Sequence, residues 1–226
     1  QYGLDTLRSF WKDSGFIISF SGVDGSGKST IIEQFKNELR TIHRKEVVLM
    51  RHRPRVLPIL SSIKYGGAKK AEQRAGEIKP RQGKAMPGIG SYLRFGYYYS
   101  DYLLGQLVVY FKYVLRGKIV LYDRYYFDFI VDAKRSNISI PPKVAKGLYS
   151  FIFKPRYNFL LWSNPADVYA RKPEVEVVQI EKLNKGYKGL FKQLSIASNK
   201  SKYRVIHNKE IDTTIKEILR ECKEVA

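Results

Sequence analysis

The residues Gly22-Val23-Asp24-Gly25-Ser26-Gly27-Lys28-Ser29 carry the most specific chemistry in the chain. They fit the pattern G-x-x-x-x-G-K-[ST] at every fixed position. In such a loop, successive backbone N–H groups turn inward and cradle phosphate oxygens. The helix that follows adds partial positive charge at its N-terminus. Glycines at 22, 25 and 27 permit close backbone approach to a ligand. Lys28 is placed to reach β- and γ-phosphates, and the Ser29 hydroxyl to ligate Mg²⁺. Gly22 through Thr30 is therefore read as a nucleotide-phosphate site. A second constellation is Asp123-Arg124, directly after the apolar run Lys118–Tyr122. An acidic residue at the carboxyl end of a buried strand lies in the crevice where such folds bind ligands, so Asp123 is a candidate Mg²⁺ holder. Arg124 offers a planar fork for phosphate oxygens.

These groups need elements to position them. Phe16–Phe20 is an apolar run read as a buried strand, and Ser29–Thr41 as a helix with Ile31, Ile32, Phe35 and Leu39 on one face. Val47–Met50, Lys118–Tyr122, Tyr157–Trp162 and Tyr203–Ile206 read as four further strands. Helices are expected over Ser91–Arg116 (stopped by Gly117), Pro142–Phe153, Pro165–Arg171, the charged stretch Lys172–Leu194, and Ile211–Cys222. Short strands that are apolar on both faces and alternate with helices imply a parallel sheet covered on both sides. The expected architecture is a single three-layer α/β domain with a five-stranded parallel sheet over 15–226, preceded by a short amphipathic helix within 1–14.

Composition bounds the function. The chain has 226 residues, of which 44% are hydrophobic and 14% aromatic, enough for a sizeable core and too apolar for a disordered chain. Lys and Arg number 41 against 21 Asp and Glu, a formal charge of +20. Such a balance favours an anionic partner: nucleotide, nucleic acid, anionic lipid or acidic sugar. The excess is concentrated in a glycine-rich stretch at about 51–90. Thirteen Lys and Arg stand between Arg40 and Lys84 against Glu46, Glu72 and Glu77. Tyr65–Gly88 reads as a basic loop with a short helix near Ala68–Ala75, able to meet nucleic acid or a membrane surface. No run of eighteen apolar residues suggests a spanning helix. Asp5, Arg8, Lys12 and Asp13 interrupt any signal-peptide core. The lone Cys222 excludes an internal disulfide, and a reducing, cytoplasmic setting is expected.

Phe20 to Thr30 resembles the phosphate loop, or Walker A segment, of thymidylate kinases. Asp123-Arg124-Tyr125-Tyr126 resembles that family's D-R-[YH] motif, and Ile206–Ile218 its last strand, turn and helix. The resemblance implies a P-loop NTPase fold with a helical lid at about 171–194. It also implies ATP- and Mg²⁺-dependent phosphoryl transfer onto a nucleoside monophosphate, and a homodimer. By position, Asp24 lies near the acceptor's sugar, Arg124 and Arg51 hold its phosphate with Arg53 as the alternative, and Arg171 is the lid arginine, assisted by Lys172, Lys182 and Lys185. The chain departs from the family on the central helix, where Asp101-Tyr102 stands in place of a D-R pair. Other acceptors (a sugar, another small metabolite or a polynucleotide 5′ end) and a non-catalytic ATP-binding module are the alternatives. Tyr92, Phe95, Tyr99, Tyr102, Gln106, Val109 and Tyr113 recur at helical spacing. A packed aromatic core accounts for most of these, with Tyr98 and Tyr102 as candidates to stack on an acceptor.

Overall fold

The computed structural model describes residues 15–41, 44–54, 56–57 and 88–222. The N-terminal segment 1–14 and the stretch 58–87, with most of the basic loop, lie outside the described residues. Five strands are present: β1 (Ile17–Ser21), β2 (Val47–Arg51), β3 (Ile119–Asp123), β4 (Tyr157–Trp162) and β5 (Lys202–His207). All neighbours pair in parallel, in the order β2-β3-β1-β4-β5. This is the expected α/β architecture. Its consequence for function is positional. β1 lies between β3 and β4, so its loop emerges at the centre of the sheet's carboxyl edge, where parallel folds bind ligands.

The described residues fall into two compact units. One comprises those of Gln1–His52, Tyr110–Tyr125 and Lys154–Ala226; the other those of Arg53–Val109 and Tyr126–Phe153. The first unit holds the whole sheet. Helix α1 (Lys28–Thr41) buries Ile31, Ile32, Phe35 and Leu39, as its 3.6-residue period dictates. Phe20 on β1 meets Phe35 at 5.9 Å and Phe159 on β4 at 5.6 Å between ring centroids. Complete burial of one such ring stabilises by roughly 1.5–3 kcal/mol. The last helix of the unit (Ile211–Glu221) adds Ile215 and Ile218 to the same core.

In the second unit, α2 (Ile89–Val109) carries the tyrosine run. The expected single helix to Arg116 instead passes into a π-helix over Tyr110–Val114, with Leu115 N–H donating to the Tyr110 carbonyl at 2.9 Å. Beyond β3 come α3 (Phe127–Val131) and α4 (Pro142–Leu148). The expected helix to Phe153 stops at Leu148 and passes into a 3₁₀ turn, Tyr149–Phe151, after which Ile152 is extended. Phe95, Tyr99, Tyr102, Tyr126 and Phe129 form an aromatic cluster at centroid distances of 5.5–6.5 Å.

Two more helices complete the first unit. α5 (Pro165–Arg171) follows β4, and α6 (Val177–Ala197) buries Ile180, Leu183, Tyr187, Leu190 and Phe191 along one stripe. Helix was expected without interruption from Lys172. It begins five residues later because Pro173 forces Lys172 out of helical backbone (φ −150°, ψ 85°). α6 covers the sheet face opposite the α1 core, with Phe191 edge-on to Tyr203 at 5.7 Å. The helix Ile211–Glu221 is α7. No helix among the described residues is long and apolar enough to cross a membrane.

Candidate functional site

β1 ends at Ser21 and the chain turns at Gly22, whose φ is +141°. A Cβ there would lie 2.2 Å from the Leu161 carbonyl oxygen on β4, so only glycine fits this close approach. The loop closes onto α1, whose first turn contains Lys28, Ser29 and Thr30. The leading N–H groups of a helix have no partner inside it, so this turn presents donors to an anion. Lys28 is 5% exposed, and its ammonium donates to the Val23 carbonyl at 2.7 Å, which holds the charge at the loop. The hydroxyl-bearing Ser29 and Thr30 are exposed. Gly25 abuts α5: a Cβ on it would lie 3.1 Å from the Val168 carbonyl oxygen and 3.3 Å from Lys172 Cβ.

Arg124 directly follows β3. Its backbone N–H extends the strand pairing by donating to Phe20 at 2.8 Å, and its φ is +75°. Left-handed backbone at a non-glycine residue costs about 1–3 kcal/mol and persists where the surroundings over-determine it. Here the guanidinium supplies that restraint. Nη2 donates to Asp24 Oδ1 at 2.6 Å, and Nη1 to the Gly22 carbonyl at 3.2 Å. At 6% exposure Arg124 therefore braces the glycine-rich loop from one side. Asp24 and Arg124, a hundred residues apart, are brought together as one part-buried charge pair.

Asp123 is half-buried at the end of β3, in register with Phe20 on β1 and Arg51 on β2. Arg51 is exposed there. The donor chemistry suits Mg²⁺, which prefers hard oxygen ligands and keeps phosphate and water in its shell. One serine hydroxyl and one carboxylate meet that need. No group of three or more His, Cys, Asp or Glu able to cage a metal occurs among the described residues. Arg171 ends α5 exposed, and Lys172, the next residue, is the one whose side chain begins against Gly25. Lys182 and Lys185 are exposed on α6.

The second unit treats its candidates differently. Arg53 is buried, with Nη1 2.9 Å from Asp101 Oδ2 and the guanidinium carbon 4.3 Å from the Tyr98 ring centre. Asp101 Oδ1 also accepts the Leu57 N–H at 2.7 Å. Tyr98 stacks on Phe129 and is 7% exposed. Tyr102 is 1% exposed and edge-on to Tyr126 and Phe129, which places it in the aromatic core.

Three residues at the loop were not singled out by sequence. Ser163 follows β4 and Asn208 follows β5, both within reach of the Ser26 carbonyl, and Thr214 on α7 donates to Asn208 Oδ1. For Ser163 and Asn208 the one sequence signal was a polar residue directly after an apolar strand, at the carboxyl edge; Thr214 carried none. Nearby, His207 stacks on Trp162 at 4.0 Å and 12°, with the Lys188 ammonium 3.3 Å from the Trp162 ring centre. Burial, then the charges of Lys209 and Lys188, lower the His207 pKa, against a smaller opposing pull from Asp167.

Comparison with known proteins bears on the fold. No protein-family model matches the sequence, and no curated protein matches it. Among solved structures, thymidylate kinase from Ehrlichia chaffeensis is similar, with a TM-score of 0.59 at 18% identity, over 93% of this chain and 99% of that one. The fold is thus the P-loop NTPase fold of that structure.

Proposed function

We propose that this chain is an ATP- and Mg²⁺-dependent phosphotransferase that moves the γ-phosphoryl group of ATP onto a nucleoside monophosphate. The observation that carries this reading is the phosphate loop itself, with Lys28 held at its rim and Asp24 paired to Arg124 beside it. Gly22, Gly25, Ser26, Gly27, Lys28, Ser29 and Thr30 hold the ATP phosphates through backbone N–H groups and the lysine ammonium. Ser29 and Asp123 would hold Mg²⁺, which would supply charge neutralisation at the phosphates. Arg51 orients the acceptor anion, and Arg124 keeps Asp24 in place for the acceptor's sugar. Arg171 and Lys172 supply cations from the lid side. An acceptor phosphate oxygen bonds to the γ-phosphorus as its bond to the β-bridging oxygen breaks, and ADP leaves. Positioning and charge stabilisation carry the rate, and a well-placed arginine is worth about 10³–10⁵ in related chemistry.

The test is transfer from γ-labelled ATP with Mg²⁺ to a panel of nucleoside monophosphates, sugars and 5′-hydroxyl oligonucleotides. Transfer to a monophosphate that disappears in Lys28→Ala is the expected result. Turnover unchanged in that variant overturns the assignment.

A second reading keeps the kinase and changes the acceptor. Arg53 covers Tyr98, and Tyr102 is packed away, so neither ring is open for stacking on a base in this structure. A sugar, another small metabolite or a polynucleotide 5′ end then replaces the nucleotide, the last favoured by the +20 charge. ATP binding without transfer to any acceptor would favour a non-catalytic ATP-binding module, with the basic stretch 51–90 contacting nucleic acid or a membrane surface. A homodimer is supported by one exposed face of α2, where Ile89, Leu93, Leu104 and Leu107 are 79%, 70%, 51% and 46% exposed. A cytoplasmic setting completes the proposal.

A further inference from the structure

We infer that Asn208 is a positioning residue for phosphoryl transfer, fixing the peptide between Ser26 and Gly27 so that its N–H faces the phosphates. The inference rests on reading the loop as the ATP phosphate site. It concerns a residue that touches no part of that ligand's expected path except through the loop backbone.

The Ser26 carbonyl is drawn away from the loop by side chains of other elements. Asn208 Nδ2 donates to it at 2.7 Å. Ser163 Oγ lies 3.4 Å from the same oxygen and 3.1 Å from the Asn208 carbonyl, so its one proton favours the latter. In a trans peptide the C=O and the following N–H point in opposite directions. Anchoring the Ser26 oxygen toward Asn208 therefore aims the Gly27 N–H the other way. Gly27 has a φ of +82°, a glycine conformation from which the adjoining peptide can flip at little cost. A flip would turn a carbonyl oxygen toward the phosphates in place of a donor. The anchor opposes that flip. Gly27 also leaves the anchor its space: a Cβ there would meet Asn208 Nδ2 at 2.5 Å.

Asn208 is itself held at both ends. Its backbone N–H donates to the Trp162 carbonyl at 2.9 Å, one step past the last paired residues of β4 and β5. Its Oδ1 accepts from Thr214 Oγ1 on α7 at 3.1 Å, which fixes the amide with its donor side toward Ser26. Asn208 is 8% exposed, Thr214 2%, Ser163 2% and Ser26 0%, so water competes little with any of these bonds.

Two near-isosteric changes isolate the effect. Asn208→Asp replaces the donor by a carboxylate oxygen that repels the Ser26 carbonyl. Thr214→Val removes only the hydroxyl that orients the amide, and Thr214→Ser restores it. The full chain is titrated with MgATP by calorimetry, and the Gly27 amide is followed by ¹H–¹⁵N NMR on adding ATP. The expected result is about a tenfold loss of ATP affinity in Asn208→Asp and about threefold in Thr214→Val. Thr214→Ser stays within about twofold of the parent. The large downfield Gly27 shift on binding is expected in the parent and Thr214→Ser, and absent from Asn208→Asp. A general loss of packing would not move that signature selectively. If the parent binds ATP and Asn208→Asp binds equally with the same Gly27 shift, the inference falls while the phosphate-loop reading stands. If the parent binds no ATP, the proposed function falls. Should Asn208→Asp fail to fold, the Thr214 pair decides: equal affinities in Thr214→Val and Thr214→Ser overturn the inference.

Discussion

The phosphate loop and the Arg53–Tyr98 region solve the same problem, holding charge in a buried setting, in opposite ways. At the loop the protein presents backbone N–H groups and a lysine, and spends its side chains outside the cradle. Arg124, Asp24, Asn208 and Ser163 all act on the loop's own carbonyls or flank. Around Tyr98 the side chains consume one another: Arg53 pairs with Asp101, Asp101 also takes the Leu57 N–H, and the guanidinium lies on Tyr98. A backbone cradle keeps its donors for the ligand. A closed side-chain network satisfies itself, and a ligand entering there must displace a charge pair. The difference separates a region that leaves backbone donors open from one whose charged groups are satisfied among themselves.

The sharpest break of this contrast is Lys28→Ala, which should lower phosphoryl transfer by about 10³-fold or more, since charge stabilisation at the reacting phosphates is lost outright. Labelled-ATP assays measure it, and the fold should survive. The next test falls on the closed network. Asp101→Asn leaves the Arg53 charge buried without its carboxylate and should cost about 3–5 kcal/mol in urea unfolding. A loss below about 1 kcal/mol would mean that Arg53 swings free and that the region is open to ligands after all.

Smaller effects sharpen the aromatic side of the comparison. Tyr126 donates to the Ala145 carbonyl at 2.9 Å, so Tyr126→Phe should cost about 1 kcal/mol. Burial raises the pKa of both Tyr125 and Tyr126. The unfolded chain ionises these tyrosines above about pH 10 while the folded one keeps them neutral. Their contribution is full below that pH and fades as pH rises further, and Tyr126→Phe should flatten that alkaline loss. His207 gives the smallest effect, with the opposite sign. Its folded pKa is lowered, so the unfolded state takes up the proton first as pH falls from about 7 to 5, and stability declines. His207→Phe keeps a ring on Trp162 and should remove that slope in pH-dependent unfolding curves.

The fold and the glycine-rich turn after β1 were legible in the sequence because both are local patterns. Eight contiguous residues define the loop, and apolar runs of five or six define the strands, so period and punctuation suffice. The pairs that brace the site were not legible. Asp24 and Arg124 each stood out, yet their union depends on β1 and β3 lying side by side. Arg53 was a candidate for the acceptor, and its burial against Asp101 and Tyr98 follows from how α2 packs, which the tyrosine spacing alone does not dictate. Pro173 delayed one expected helix for a reason that was printed in the sequence, the restriction a proline places on the residue before it.

By itself, then, the sequence determined the order of strands and helices, the glycine turn after β1 and the cation that completes it. Those features depend on short-range sterics and periodicity. Tertiary structure alone decided which distant polar groups meet: Asn208 and Ser163 at the Ser26 carbonyl, Thr214 behind Asn208, and Arg53 in the aromatic cluster rather than at an open surface. The physical reason is that a buried hydrogen bond is selected by where strand ends converge, and no residue carries that address in its neighbours along the chain.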